Sequence, residues 1–240
     1  DPNARDPLRL LFSGWTGDDG LQADRIVEKL LPIAKANPQA WRLSATVANA
    51  LLQKQREDEA MALLKAALDN IEGSPVDTDA AKNEAVEVIA MATSTYAMLE
   101  RWDEGEKFLG HILDRPVFAS SFPVRCAAAA FYAMQADQGE DGWWLFPSRK
   151  QRYRRALDDD LNAAATLWRD LVADAKSRNQ AVDMRELSGL IQVCKRYHRM
   201  ALAEEMIGEV LLNKPRDLRA RLFYAAFLAD AERFGEAPRL

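Results

Sequence analysis

Apolar residues recur at intervals of three and four along nearly the whole chain, which is the spacing of an amphipathic helix. On one predicted face of an early segment lie four of them: Ile26, Leu30, Ile33 and Ala34. This pattern stops at Asn37 and Pro38. A later predicted helix, which contains Ala60 and Leu64, stops at Gly73. No stretch alternates apolar and polar residues as a half-buried strand does. The sequence therefore predicts an all-α protein.

Several of the predicted helices share one pattern, in which a starting residue is followed at four, seven and eight by apolar residues. After the copy that starts at Ile26, the pattern returns as Ala60, Leu64, Ala67, Leu68; Gly105, Leu109, Ile112, Leu113; Ala164, Trp168, Leu171, Val172; and Ala203, Ile207, Val210, Leu211. A last copy starts at Ala237. The starting positions are separated by 34, 45, 59, 39 and 34 residues, so the inner intervals exceed the outer ones by 11, 25 and 5. A repeat with insertions has this spacing.

Another helix precedes each of these. The apolar faces of the preceding helices are Val47, Ala48, Leu51; Ile89, Ala92, Tyr96; and Leu187, Leu190, Ile191, Cys194. Helix pairs at a 34-residue period resemble the tetratricopeptide repeat (TPR) family. The second helices keep the small residue of that pattern at Ala60, Ala164 and Ala203, and Pro38 and Pro215 match its closing proline.

The first helices match the TPR pattern less well. Tyr96 fits the aromatic position, but Ala48, Thr93 and Ile191 stand where glycine is usual. The resemblance implies one right-handed α-solenoid over residues 1–240, with approximate repeats 1–38 (partial), 39–73, 80–117, 122–177, 180–215 and 216–240 (truncated). Another α-solenoid or an irregular helical domain is the alternative. Both ends cut through repeats, so we expect further chain or a partner to cover them.

The 59-residue interval places extra residues inside one hairpin, as an insertion over 138–155 that includes the stretch GWWLFPSRKQRYRR. Pro147 suits the first turn of a helix. Helical spacing then continues through seven residues: Tyr153, Leu157, Leu161, Ala164, Trp168, Leu171 and Ala175. The aromatic and basic residues of the insertion are Trp143, Trp144, Phe146, Arg149, Lys150, Arg152, Arg154 and Arg155.

This insertion has three interpretations. In the first it is a solvated helix face, on which Arg154 and Arg155 pair with Asp158 and Asp159, four residues further on. The aromatic residues Trp143, Trp144 and Phe146 then fold back onto the hairpin. Aromatic residues beside basic ones also grip acidic peptides or stack on nucleic-acid bases. Nucleic acid is the least favoured, because the run Asp158–Asp160 repels phosphate and the whole chain carries a formal net charge of −5.

The sequence contains few motifs that are typical of catalytic or metal-binding sites. Its two histidines, His111 and His198, stand in different predicted repeats, and zinc, nucleotide-binding and nucleophile-elbow motifs are absent. Cys126 and Cys194 lie far apart within apolar helical patterns, which favours reduced core residues. No apolar run approaches the roughly 18 residues of a membrane span. We therefore expect a non-enzymatic protein without metal, cofactor or membrane span.

TPR proteins generally bind peptides or protein segments in a groove lined by the first helix of each pair. The groove residues that the resemblance implies are Arg42, Asn49, Gln53, Glu87, Met91, Ser94, Met98, Arg185, Gln192, Lys195 and Arg196. Chaperone-binding members hold a C-terminal carboxylate with lysines and asparagines. Asn49 matches one asparagine, but Ala45 and Met91 occupy other positions of that set, which argues against such a clamp.

The implied function is a non-catalytic scaffold that binds a protein or peptide as part of a larger protein. One alternative is nucleic-acid binding through residues 142–155. Another is a regulatory or assembly role for an enzyme elsewhere in the parent chain.

Overall fold

The structure is a computed structural model that describes the backbone of residues 19–138, 147–180, 182 and 184–230, and the side chains of 23–135, 151–180, 182 and 187–229. This part of the chain contains eleven helices and no strand. The helices are α1 (Asp19–Ala36), α2 (Trp41–Gln53), α3 (Glu57–Gly73), α4 (Asp79–Met98), α5 (Trp102–Leu113), α6 (Pro116–Ala119), α7 (Phe122–Gln138), α8 (Pro147–Ser177), α9 (Met184–Arg196), α10 (Met200–Asn213) and α11 (Leu218–Asp230). The prediction of an all-α protein is confirmed.

The chain divides into two compact units, Asp1–Ala119 and Ser120–Leu240. In the first unit each of the helices α1 to α5 packs on the next, and α2 also packs on α4. In the second unit α7 packs on α8, α9 on α10 and α10 on α11, while α7 also packs on α9 and α8 on α10. Helices in both units thus contact a neighbour two elements away as well as an adjacent one.

Four of the connections between the described helices have the same turn. Gln55, Glu100, Asn179 and His198 adopt φ angles of 56°, 55°, 54° and 56°, in the left-handed region. The amide of the next residue donates to the carbonyl five residues back: Arg56 to Leu51 at 2.9 Å, Arg101 to Tyr96 at 2.9 Å, Gln180 to Ala175 at 2.8 Å and Arg199 to Cys194 at 2.7 Å. This is the hydrogen bond that closes a helix in the Schellman motif. Glycine usually occupies the left-handed position, and none of these residues is a glycine, so glycine positions do not predict these turns.

The predicted apolar faces form the cores of the two units. Ala60, Leu64 and Ala67 are fully buried in the first unit, as are Ala164, Ala203 and Ile207 in the second. Two residues assigned to these faces are exposed instead, Ile33 by 43% and Leu171 by 41%. At about 100° per residue, Leu171 lies about 60° around α8 from the buried Trp168, whereas Val172 lies about 40° to the other side and is buried in its place.

A tryptophan joins helices in each unit. The indole Nε1 of Trp168 donates to the carbonyl of Met206 on α10 at 3.0 Å, and the ring lies 5.2 Å from that of Phe122. In the first unit Trp41 Nε1 donates to Asn70 Oδ1 on α3 at 2.8 Å. Buried tryptophans need such a partner for the indole N–H, so both residues fix how their helices pack.

Candidate functional site

The predicted groove residues of the first unit lie on two neighbouring helices, because α2 packs directly on α4. Four of them are exposed: Asn49, Gln53, Ser94 and Met98. Met91 is half-buried. We call Arg42, Asn49 and Gln53 of α2 and Glu84, Glu87, Met91, Ser94 and Met98 of α4 the α2/α4 strip.

An ion-pair cluster occupies one end of this strip. Arg42 Nε donates to Glu87 Oε2 at 2.9 Å, and its Nη1 lies 3.4 Å from Glu84 Oε1. The Arg42 side chain is only 18% exposed, so its guanidinium is committed to these carboxylates. Glu84 was not among the predicted residues, although it precedes Glu87 by three positions and hence shares its helix face. Two carboxylates against one guanidinium leave this end of the strip negative.

Amide and apolar side chains form the rest of the strip. Asn49 and Gln53 each offer both hydrogen-bond donors and acceptors, which suits the backbone of an extended peptide. Met98 is 59% exposed, and a flexible thioether side chain adapts to varied apolar groups. The Ser94 hydroxyl donates to the carbonyl of Ala90 at 3.0 Å, within its own helix. The strip can therefore bind a peptide backbone and one apolar side chain.

The remaining predicted groove residues belong to α9, in the second unit. Gln192 and Arg196 are exposed and Lys195 is half-buried, while the side chain of Arg185 lies outside the described residues. Helix α9 packs on α7 and α10. The predicted groove set thus has members in both units.

The insertion continues directly into α8. Helix α8 begins at Pro147, and Tyr153 and Leu157 are each 2% exposed, so the predicted face anchors this end of the helix. Arg152, Arg154 and Arg155 are exposed, and the Arg152 guanidinium lies 5.2 Å from the centre of the Tyr153 ring. Trp143, Trp144 and Phe146 lie outside the described residues, as do the side chains of Arg149 and Lys150.

The predicted pairing of Arg154 and Arg155 with Asp158 and Asp159 is wrong. Asp158 instead accepts a hydrogen bond from Arg199, which is 41 residues away in the turn after α9. Asp160 is 3% exposed and lies 2.6 Å from Arg125 Nη1 of α7. Among the residues that the structure describes, neither Arg154 nor Arg155 forms an ion pair. Tertiary packing thus brings distant arginines to Asp158 and Asp160, and these take the place of the arginines nearby in the sequence.

Two carboxylates among the described residues have displaced pKa values. Hydrogen bonds from Arg101 and Lys65 lower the pKa of Glu104 to about 2. Burial raises the pKa of Asp160, although the hydrogen bond from Arg125 opposes this. Charged neighbours stabilise the ionised form of Glu104, whereas Asp160 is largely excluded from solvent. Ion pairs thus cause the lowered pKa of Glu104, whereas burial causes the raised pKa of Asp160.

Neither cysteine forms a disulfide; Cys126 is half-buried and Cys194 is fully buried. Burial raises the pKa of Cys194 to about 11, so this thiol is protonated at neutral pH and a poor nucleophile. Within the described ranges, no three or more His, Cys, Asp or Glu side chains are grouped as a metal site would require. None of the helices described is both long enough and apolar enough to cross a membrane.

Comparison with known proteins gives a similarity of fold. The crystal structure of BtubC (BKLC) from P. vanneervenii is similar to this chain with a TM-score of 0.51 and 15% sequence identity, over 91% of this chain and 85% of that one. At this identity the likeness concerns the fold alone. No protein-family model matches the chain. No curated protein matches it either.

Proposed function

We propose that this chain is a TPR-like, non-catalytic scaffold that binds an extended protein or peptide segment along the α2/α4 strip. The observation that carries the proposal is the side-by-side packing of α2 and α4, with amide and methionine side chains left exposed beside an ion-pair cluster.

Contacts between equivalent positions support the repeat interpretation. In the first unit Arg42 contacts Glu87 across 45 residues, and Arg115 donates to the carbonyl of Ile71 across 44. These separations are close to the 45-residue interval of the sequence pattern. In the second unit Trp168 donates to Met206 across 38 residues, close to the 39-residue interval. Stacked copies of one helical hairpin place equivalent residues against each other in this way.

The dimensions of the strip suit a short extended segment. From Arg42 to Gln53, α2 rises about 16 Å, at about 1.5 Å per residue. An extended chain of about five residues covers this length, at about 3.3 Å per residue. Glu87 is 49% exposed despite its bond to Arg42, so it can accept a second cation. The preferred segment therefore has a basic residue towards Glu87 and an apolar residue towards Met98.

Selection of peptides from a random display library on the whole chain tests this function. We expect selected peptides to combine a basic and an apolar residue a few positions apart. Met98→Glu places a charge in the strip and weakens binding about tenfold, which is about 1.4 kcal/mol. Double substitution of Asn49→Ala and Gln53→Ala weakens it as well, because the peptide backbone loses hydrogen bonds.

Leu212→Glu is the matched control. Leu212 is 79% exposed and lies on α10. The substitution therefore replaces an exposed apolar residue outside the strip. The proposal requires that this variant bind the selected peptides as wild type does. Failure to select any peptide, or equal weakening by Met98→Glu and Leu212→Glu, contradicts it.

A further inference from the structure

We infer that the α2/α4 strip selects lysine over arginine in the bound segment, because Glu87 has a single carboxylate oxygen left for a ligand. This inference rests on the proposed function, since it names the basic residue that the strip binds. The residues that decide it are Arg42, Glu84 and Glu87, which we call the acidic end of the strip. The selectivity can be wrong while the strip still binds peptides.

One oxygen of the Glu87 carboxylate is already occupied inside the protein. Arg42 Nε donates to Glu87 Oε2 at 2.9 Å. Among the described residues, no other side chain forms a hydrogen bond or ion pair with Glu87, so its Oε1 has no donor there. The Glu87 side chain is nevertheless 49% exposed. A ligand therefore meets one open carboxylate oxygen rather than two.

The arginine that occupies Oε2 is held from two sides. Its Nη1 lies 3.4 Å from Glu84 Oε1, one turn before Glu87 on α4. The Arg42 side chain is largely shielded from water, so displacing it would leave a poorly solvated guanidinium without its carboxylates. We therefore expect a ligand to bind beside Arg42 and to leave Oε2 occupied.

Lysine and arginine differ in what they need from a carboxylate. An arginine forms its strongest pair through two parallel N–H···O bonds, one to each oxygen. A lysine ammonium is a compact charge with three rotatable donors, so a single oxygen satisfies it. Beside Arg42, an arginine of the ligand loses one of its two bonds to Glu87, whereas a lysine keeps its full interaction.

The net charge of the acidic end matches one cation. Glu84 and Glu87 carry two negative charges and Arg42 carries one positive charge, so one negative charge remains. A single lysine neutralises it, and a second basic residue at the same place would find no further excess. The preferred segment thus has one lysine near Glu87 and an apolar residue near Met98, about 16 Å further along α4.

Fluorescence anisotropy on the whole chain tests this selectivity with four labelled peptides. Two have the sequences Lys-Ser-Gly-Ser-Leu and Leu-Ser-Gly-Ser-Lys, one for each direction along the strip, and the other two have arginine in place of lysine. We expect the better lysine peptide to bind about three- to tenfold more tightly than its arginine counterpart. Arg42→Leu opens both oxygens of Glu87, so in this variant the preference should disappear or reverse.

A peptide with trimethyl-lysine gives a second measurement, which needs no variant and serves if Arg42→Leu folds poorly. Trimethylation keeps the positive charge and removes the N–H donors. The trimethylated peptide should bind wild type about threefold more weakly or worse, because the hydrogen bond to Oε1 is lost. Equal binding of the two peptides contradicts a directed contact with Glu87.

Glu72→Gln is the matched control for Glu87→Gln. Both residues are exposed, lie in the first unit and give the same change in net charge, but Glu72 belongs to α3 and lies outside the strip. Glu87→Gln should weaken binding of the lysine peptide about fivefold or more, and Glu72→Gln less than about twofold. Equal weakening by the two variants overturns the inference, since the attraction is then general.

The remaining outcomes separate the selectivity from the binding function. Equal binding of the lysine and arginine peptides by wild type, or a lysine preference that persists in Arg42→Leu, overturns the selectivity and leaves the α2/α4 strip as a peptide site. If none of the four peptides binds, the selectivity is wrong as well, and the selection from the random library decides separately whether the strip binds peptides.

Discussion

The two units pack their helices in a similar way but differ in charge. The first unit has 20 acidic and 13 basic residues, a net charge of −7, while the second has 17 acidic and 19 basic residues, a net charge of +2. Both contain the same turn, at Gln55 and Glu100 in one and at Asn179 and His198 in the other. The turn and the buried faces define the hairpin, so the surface charge can differ between the units without changing how their helices pack.

The units also use their ion pairs differently. In the first, Arg101 and Lys65 surround Glu104, whose side chain is 42% exposed. In the second, Arg125 reaches Asp160, whose side chain is 5% exposed. Removing one cation beside Glu104 should lower the free energy of unfolding only slightly, because this carboxylate is exposed to water. Removing Arg125 should lower it much more, because the buried Asp160 then has no cation beside it.

The largest expected effect is at the buried tryptophan of the second unit. Trp168→Ala removes a fully buried ring and its bond to Met206, and should lower the free energy of unfolding by about 3–5 kcal/mol. Trp41→Ala, in the first unit, should cost less, since Trp41 retains 7% exposure and bonds a half-buried side chain. Urea denaturation followed by circular dichroism measures both. A larger loss for Trp41→Ala contradicts the comparison.

Next in size is the buried ion pair. Arg125→Leu leaves Asp160 buried without its cation and should cost about 3 kcal/mol. Arg42→Leu removes the corresponding arginine of the α2/α4 strip and should cost about 1–2 kcal/mol, because Glu87 turns towards solvent. Adding Asp160→Leu to Arg125→Leu should restore most of the loss. If the double variant is no more stable than the single one, the buried charge is not the cause.

The turns provide a smaller effect of opposite sign. Gln55→Gly, Glu100→Gly and His198→Gly each relieve a left-handed backbone that glycine adopts without strain, and should raise stability by about 0.5–1 kcal/mol. Thermal unfolding midpoints measure this in both units. Lys54→Gly is the control, because Lys54 precedes the left-handed residue with φ of −94° and should gain nothing.

The sequence was sufficient to predict the helices and most of their buried faces. Leu187, Leu190, Ile191 and Cys194 were assigned to one face of α9, and all four are buried. Such patterns are local, so the helical period alone places them. The ion pairs were not predictable in this way, since Asp158 and Asp160 find partners 41 and 35 residues away. The sequence predicted local pairing of Arg154 and Arg155 with Asp158 and Asp159, and this was wrong because distant arginines bind the acidic residues.

The smallest predicted effect is a difference between the two units in how their stability depends on pH. Glu104 has a pKa of about 2 in the folded chain against an ordinary value of 4.5, so its contribution to stability is complete above about pH 5.5 and is lost as the pH falls towards 2. Asp160 has a raised pKa, so it opposes folding when it ionises and causes no loss in acid. Because Glu104 is substantially exposed, the loss should be about half a kcal/mol or less.

Glu104→Gln should flatten the dependence of the unfolding midpoint between pH 6 and 3, whereas Asp160→Asn should not. An unchanged acid dependence in Glu104→Gln would show that the exposed cluster contributes no measurable stability, and the contrast between the units would then rest on the buried pair alone.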